Sequence, residues 1–217
     1  MNLISNGNTA EIFEYDSHLI CKLFYRNYPS QYAEHEFNNA RAVLKSGINT
    51  PTAYKMVCID GCVGIIYDKI DGETLLSKLS NREVQDIWLE KFVNFHKEMI
   101  SKTVANVMDY KAFLKLLAGD SPELLRKIKG LEDDIRLLHG DFHPANLMVD
   151  TARNMVLIDM MNVCKGPAAY DVARTYFLLG HEKQLQRMYL EKMEFELSEI
   201  MPYFEVISSL RAKESPK

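Results

Sequence analysis

The stretch His139-Gly140-Asp141-Phe142-His143-Pro144-Ala145-Asn146 constrains this chain more than any other. Two histidines, an aspartate and an asparagine crowd into one short loop. Two apolar strands follow directly, Leu147–Val149 and Met155–Ile158, joined by a polar turn, and Asp159 closes the second. Oxygen donors on a loop and at a strand end suit Mg²⁺, which binds through one or two carboxylates together with phosphates. If Asn146 and Asp159 serve the metal, Asp141 is left to act on a hydroxyl. Two other readings stand beside this one. An H-G-D loop alone is often a turn in which Asp accepts backbone amides. His139, Asp141 and His143 also alternate like zinc ligands, as in a metal hydrolase, although no further His or Cys cluster has convincing ligand spacing.

The 217 residues are 47% hydrophobic and 26% charged, enough for one large domain or two small ones. That excludes disordered and low-complexity classes. The net charge of -4 leaves no global basic footprint, so no nucleic-acid partner is expected. Met1–Asn8 lacks the basic start and apolar stretch of a signal peptide. No apolar run approaches the ~20 residues of a membrane span. Cys21, Cys58, Cys62 and Cys164 lack the second pair of a zinc ribbon and read as reduced core thiols of a cytoplasmic protein.

The first seventy residues read as strands with one helix. Glu11–Tyr15 and Leu19–Phe24 flank a turn at Asp16–His18, and Asp60-Gly61 marks a second hairpin with the two positive-φ positions of a type I′ turn. Between them Gln31–Ser46 reads as a helix with Ala33, Phe37, Ala40 and Leu44 on one face, capped by Ser30 and ended by Gly47. From Asp71 the pattern turns helical. Ser80-Asn81-Arg82-Glu83 forms a capping box before a helix whose apolar face is Val84, Trp88, Phe92, Phe95 and Met99. His96 lies beside that face and reads as a satisfied core histidine. Ser121-Pro122-Glu123 starts another helix. Ala168–Leu210 is again helical with an interruption at Pro202, and the tail Arg211–Lys217 is polar and frayed.

HGDFHPANLMVD followed by VLID resembles the catalytic loop and metal-binding strand end of the aminoglycoside phosphotransferase and choline kinase superfamily, which shares the protein-kinase-like fold. The likeness extends along nearly the whole chain. Ile4–Phe13 resembles the nucleotide-binding hairpin, Leu19–Phe24 the strand bearing the phosphate-binding lysine, and Glu36 the helix glutamate that pairs with it. Tyr67–Gly72 resembles the hinge where adenine docks, and Pro167–Arg174 the later segment with a structural Asp. The resemblance implies an α+β, bilobal protein-kinase-like fold with a small antiparallel-sheet N-lobe over 1–67, a hinge at 68–72 and a larger helical C-lobe over 73–217. It implies ATP, or GTP, as donor and Mg²⁺ as cofactor. Asp141 would be the base, and Asn146 and Asp159 the metal ligands. Lys22, Glu36, Gly7, Asn8, Thr9, Asp68 and Ile70 would lie at the nucleotide, with His139, His143 and Asp171 structural or near the substrate.

The turn has one glycine, Gly7, where protein kinases have three, which makes its phosphate role the least supported assignment. No P-loop signature is present, Met160 follows Asp159 where protein kinases carry Phe, and Asp159 to Pro167 is too short for a phosphorylation-controlled loop. The implied acceptor is a small-molecule hydroxyl, aminoglycoside-, amino-alcohol- or sugar-like. A nucleotide-binding pseudokinase and a kinase acting on protein are the alternatives, and the oligomeric state is left open.

Overall fold

The computed structural model describes residues 1–81, 83–180 and 182–214. In chain order the elements are β1 (Asn2–Asn6), β2 (Ala10–Glu14), β3 (Leu19–Phe24), α1 (Ser30–Lys45), β4 (Ala53–Ile59), β5 (Cys62–Asp68), β6 (Gly72–Thr74), α2 (Leu75–Leu79) and α3 (Gln85–Ser101). Then come β7 (Met108–Asp109), α4 (Tyr110–Ala118), α5 (Pro122–Lys129), β8 (Arg136–Leu138), β9 (Leu147–Asp150), β10 (Met155–Leu157), β11 (Cys164–Gly166), α6 (Ala168–Leu178), α7 (Lys183–Met193) and α8 (Leu197–Glu214). By internal contacts the chain forms two units. One is Met1–Thr74 with Leu147–Asn162; the other is Leu75–Asn146 with the chain from Val163 on. The expected division at 68–72 had placed the β9–β10 hairpin in the helical part.

The first unit is built on an antiparallel five-stranded sheet in the order β1-β2-β3-β5-β4. Both predicted hairpin turns form. Asp16 Oδ1 accepts the amides of His18 and Leu19 at 2.8 and 2.9 Å. Asp60 and Gly61 both take positive φ, 51° and 79°, as a type I′ turn needs. A third hairpin, β1–β2, turns at Gly7–Thr9. Helix α1 buries Ala33 and Ala40 as expected, but its buried face is turned away from Leu44 toward Glu36 and Asn39. Ala33, Glu36, Asn39, Ala40 and Val43 are buried, while Leu44 is 38% exposed. The reason is that two polar residues, Glu36 and Asn39, are held inside by specific partners. Ser30 is the first helical residue rather than the cap, and Pro29 precedes it without a capping bond.

A second small sheet of the first unit, β10-β9-β6, contains a strand, β6, that the sequence reading lacked. Its pairing brings Gly72 against the backbone of Val149. The hairpin is also tied to the chain after α1. Asn49 Nδ2 donates to Met155 O at 2.7 Å, Thr50 Oγ1 to Leu157 O at 2.9 Å, and Leu157 N to Asn49 O at 2.9 Å.

The second unit is helical around a three-stranded sheet, β7-β11-β8, also unforeseen because its strands have only two or three residues. Trp88, Leu89, Phe92, Val93, His96, Met99 and Ile100 form the buried face of α3. The capping box does not start this helix. Ser80 donates back to Leu76 O at the end of α2, Glu83 N binds Asn81 Oδ1, and Val84 precedes the first turn. Arg82 lies outside the described residues. Helix α5 starts at Pro122 as expected. Helix α8 runs through Pro202, at the cost of one backbone bond, and takes in part of the tail expected to fray. Residues 215–217 lie outside the described residues. All four cysteines are free, but only Cys21 and Cys164 are buried; Cys58 is exposed beside a hairpin tip. Among the described residues no helix is long and apolar enough to cross a membrane.

A Cβ on Gly72 would overlap the Val149 carbonyl oxygen, which is backbone and cannot rotate away. Gly72→Ala is therefore expected to destabilise the fold by about 1–3 kcal/mol, read as a lower urea midpoint.

Candidate active site

In the first unit, strand β3 places Lys22 opposite Ile12 on β2 and Ile65 on β5. Lys22 Nζ lies 2.8 Å from both Glu36 oxygens and 3.0 Å from Asp159 Oδ1. Glu36 is 1% exposed, and the Tyr67 hydroxyl donates to it at 3.1 Å. Desolvation opposes the charge on Lys22, but the Glu36 and Asp159 carboxylates outweigh it and raise its pKa. Burial pushes the Glu36 carboxyl upward against the pull of Lys22. Asp159 follows β10 with φ of 63°, and its side chain stays 43% exposed. Asn39, three residues after Glu36 on α1, donates Nδ2 to Met160 O at 2.9 Å and fastens the turn just beyond Asp159.

The other residues expected at the nucleotide have local duties. Gly7 N donates to Ala10 O at 2.8 Å, and Gly7 O accepts from the Tyr25 hydroxyl at 2.8 Å. Asn8 is exposed, and Thr9 O accepts from Tyr25 N. Asp68 spends its carboxylate on Thr52 N at 2.8 Å and the Tyr54 hydroxyl at 2.7 Å. Ile70 is half-buried between β5 and β6.

In the second unit the His139–Asn146 loop leaves β8 and is held by α6. Asp171 is completely buried. It accepts His139 N and Gly140 N at 2.8 Å each, and His96 Nε2 lies 3.2 Å away. The Tyr189 hydroxyl meets His96 Nδ1 at 2.8 Å. These partners assign the His96 proton to Nε2, with Tyr189 donating to Nδ1. His96 is thus the satisfied core histidine its position suggested. Phe142 is buried, stacked on Phe92 and His96 at centroid distances of 4.8 and 4.0 Å.

Asp141 faces outward with its side chain 20% exposed. Arg174 Nη2 donates to Oδ1 at 2.9 Å, and His143 Nε2 is 3.5 Å from Oδ2. Burial works against this carboxylate's charge, but the His143 contact and the Arg174 charge prevail and hold its pKa at about 2. Ala145 N donates to His143 Nδ1 at 3.2 Å, which leaves the ring proton on Nε2, facing Asp141. Asn146 Nδ2 donates to Asp141 O at 3.0 Å. That bond orients the amide and leaves Oδ1, the atom a metal takes, at its other end. His139 is buried, with its ring edge toward Phe142. Among the described residues no group of three or more His, Cys, Asp or Glu could hold a metal ion, so the alternating His139, Asp141 and His143 do not build a zinc site.

The structure therefore gathers Lys22, Glu36 and Asp159 in one unit, and Asp141, His143, Asn146, His139 and Asp171 in the other. The sequence reading missed Arg174, Tyr67 and Asn39. Arg174 had a usable signal: it follows Asp171 by three positions on a helix, hence on the same face.

Residues 104–195 match the model of the phosphotransferase enzyme family. No curated protein matches the sequence significantly. Among solved structures, a thermostable mutant of aminoglycoside phosphotransferase APH(4)-Ia, in a ternary complex with AMP-PNP and hygromycin B, superposes with TM-score 0.68 at 16% identity, covering 98% of this chain and 87% of that one. The streptomycin–ATP–APH(2")-IIa ternary complex gives 0.62 at 16% identity over 94% and 80%. The choline kinase LicA from Streptococcus pneumoniae gives 0.60 at 13% identity over 99% and 85%. The antiparallel sheet and the helical unit are the fold that these solved structures share.

The Asp171 carboxyl is held below the usual carboxylate range; burial opposes this, and the His96 bond and loop amides outweigh it. Its ionised form thus contributes stability that is complete above about pH 4 and lost as the pH falls toward its folded value. Urea unfolding should show that loss below about pH 4. Asp171→Asn should cost about 3–5 kcal/mol at pH 7 and unfold with a flatter pH dependence.

Proposed function

We propose that this protein is a phosphotransferase that moves the γ-phosphate of ATP to a hydroxyl of a small molecule in the cytoplasm, with Asp141 as the base. The observation that carries this reading is Asp141 itself: an ionised carboxylate, partly open to solvent, on a loop fixed by buried bonds. Phosphoryl transfer asks for positioning and charge neutralisation more than covalent help. Asp141 would orient the acceptor hydroxyl and take its proton. Lys22, held by Glu36, would meet the nucleotide phosphates. The Gly7–Thr9 turn would offer backbone amides and polar side chains to them. The backbone around Asp68 and Ile70 would meet the base, since the Asp68 carboxylate is engaged within its own unit.

The donor chemistry fits magnesium. Asp159 is a half-exposed carboxylate with one oxygen on Lys22, and Asn146 presents an amide oxygen. These are the hard oxygen ligands the ion prefers, completed by phosphates. When bound it would neutralise charge on the phosphate oxygens. His143 would keep the Asp141 carboxylate aligned, and His139 would brace the loop.

The test is transfer from labelled ATP with Mg²⁺ to a panel of aminoglycosides, amino alcohols and sugars, with a protein extract beside it. Asp141→Asn should lower kcat by about 10²–10⁴-fold while nucleotide affinity is kept. Asp159→Ala should instead weaken the Mg²⁺-nucleotide complex. Full turnover in Asp141→Asn would sink the assignment. Label found only in protein would favour the protein-kinase alternative, and nucleotide binding with no transfer to anything the pseudokinase.

A further inference from the structure

We propose that Arg174 is a positioning residue for the transfer step, fixing the Asp141 carboxylate through one guanidinium shared with the Gly140 carbonyl. The inference rests on the reading of Asp141 as the base. Arg174 Nε donates to Gly140 O at 3.1 Å and Nη2 to Asp141 Oδ1 at 2.9 Å. Arg174 is 6% exposed, so both bonds lie largely out of water. A guanidinium is planar, and its N–H groups diverge in a fixed fork. Anchoring one bond on the backbone of Gly140 therefore dictates where the other meets the carboxylate.

Asp171 completes the grip from one turn earlier on α6. It takes the N–H groups of His139 and Gly140, so the Gly140 residue is held at its amide by Asp171 and at its carbonyl by Arg174. The loop cannot shift along either direction without breaking a buried bond. With Oδ1 committed to Arg174, the oxygen left for an incoming hydroxyl proton is Oδ2, steadied by His143 at 3.5 Å. A lysine at this position has no planar fork, so its single Nζ, on a shorter reach, cannot hold the carboxylate at the direction the Gly140 anchor dictates. Both of the Arg174 bonds go to the loop that carries Asp141. The effect of losing Arg174 should therefore fall on turnover and spare nucleotide affinity.

The experiment compares wild type, Arg174→Met, Arg174→Lys and Arg174→Ala as full chains in the labelled-ATP transfer assay. Arg174→Met should lower kcat by about tenfold to a hundredfold, the scale of a misplaced catalytic group, with KM for ATP within about twofold of wild type. Arg174→Lys, the variant safest for folding, should recover only part of the loss. Added methylguanidinium should restore turnover to Arg174→Ala, which a merely structural role would not allow. Unchanged kcat in Arg174→Met, full activity in Arg174→Lys, or a parallel fall of kcat and ATP affinity would overturn the proposal. If the wild type transfers phosphate to no acceptor, the base assignment fails instead. Crystal structures of wild type and Arg174→Lys then decide the positioning role: a displaced Asp141 carboxylate upholds it, and one left in place removes it.

Discussion

Burying the Asp171 carboxylate costs several kcal/mol of hydration unless its lone pairs are met, and the His139–Asn146 loop supplies two of the groups that meet them. The amides of His139 and Gly140 point at it, and His96 approaches from α3 with Tyr189 behind. The dependence runs both ways. Without Asp171 those two amides would be orphaned in the interior. Without the loop in this conformation the charge would stand uncompensated. One interior ion therefore selects one loop geometry, and Asp141 inherits its place from that choice. Phe142, clamped between aromatic rings, keeps the loop from turning over.

The first unit uses the same physics at Glu36. A carboxylate on the buried face of α1 is tolerable because Lys22 and the Tyr67 hydroxyl meet it. Asn39 on the same face secures the backbone beyond Asp159. The helix thus carries polar contacts where an ordinary amphipathic helix would carry leucines. Lys22 is set between a fully buried acid and a half-exposed one. Such a cation is pre-positioned, and little side-chain entropy remains to be lost when an anion arrives.

Much of this was legible in the residues. Asp60-Gly61 announced its turn because only certain residues accept positive φ, and the HGD loop announced itself by crowding. The Lys22–Glu36 pair could be named only through the family resemblance, since neither residue is unusual by itself. The face of α1 could not be read. Periodicity assigns apolar residues inward, and Glu36 and Asn39 break that rule because each has a specific polar partner inside. The capping box at Ser80 matched by composition, but α2 already used Ser80 to close its own last turn. Strands β6, β7, β8 and β11 are too short to show a period of two. Spacing could place Arg174 on the helix face of Asp171, but only the fold brings it to Asp141.

The β9–β10 hairpin belongs by contact to the first unit, although it is synthesised long after the rest of it. The Thr50 hydroxyl finds its acceptor, Leu157 O, 107 residues downstream, and the Asn39 amide finds Met160 O 121 residues downstream. A nascent chain can pair β1 to β5 early, because those contacts are local. The unit stays unfinished until the chain has grown past Met160. Lys22 and Glu36 can meet in the partial structure, but Asp159 joins them only with this late segment. Order of synthesis thus makes the second carboxylate of Lys22, 137 residues away in the chain, available long after the first, 14 residues away.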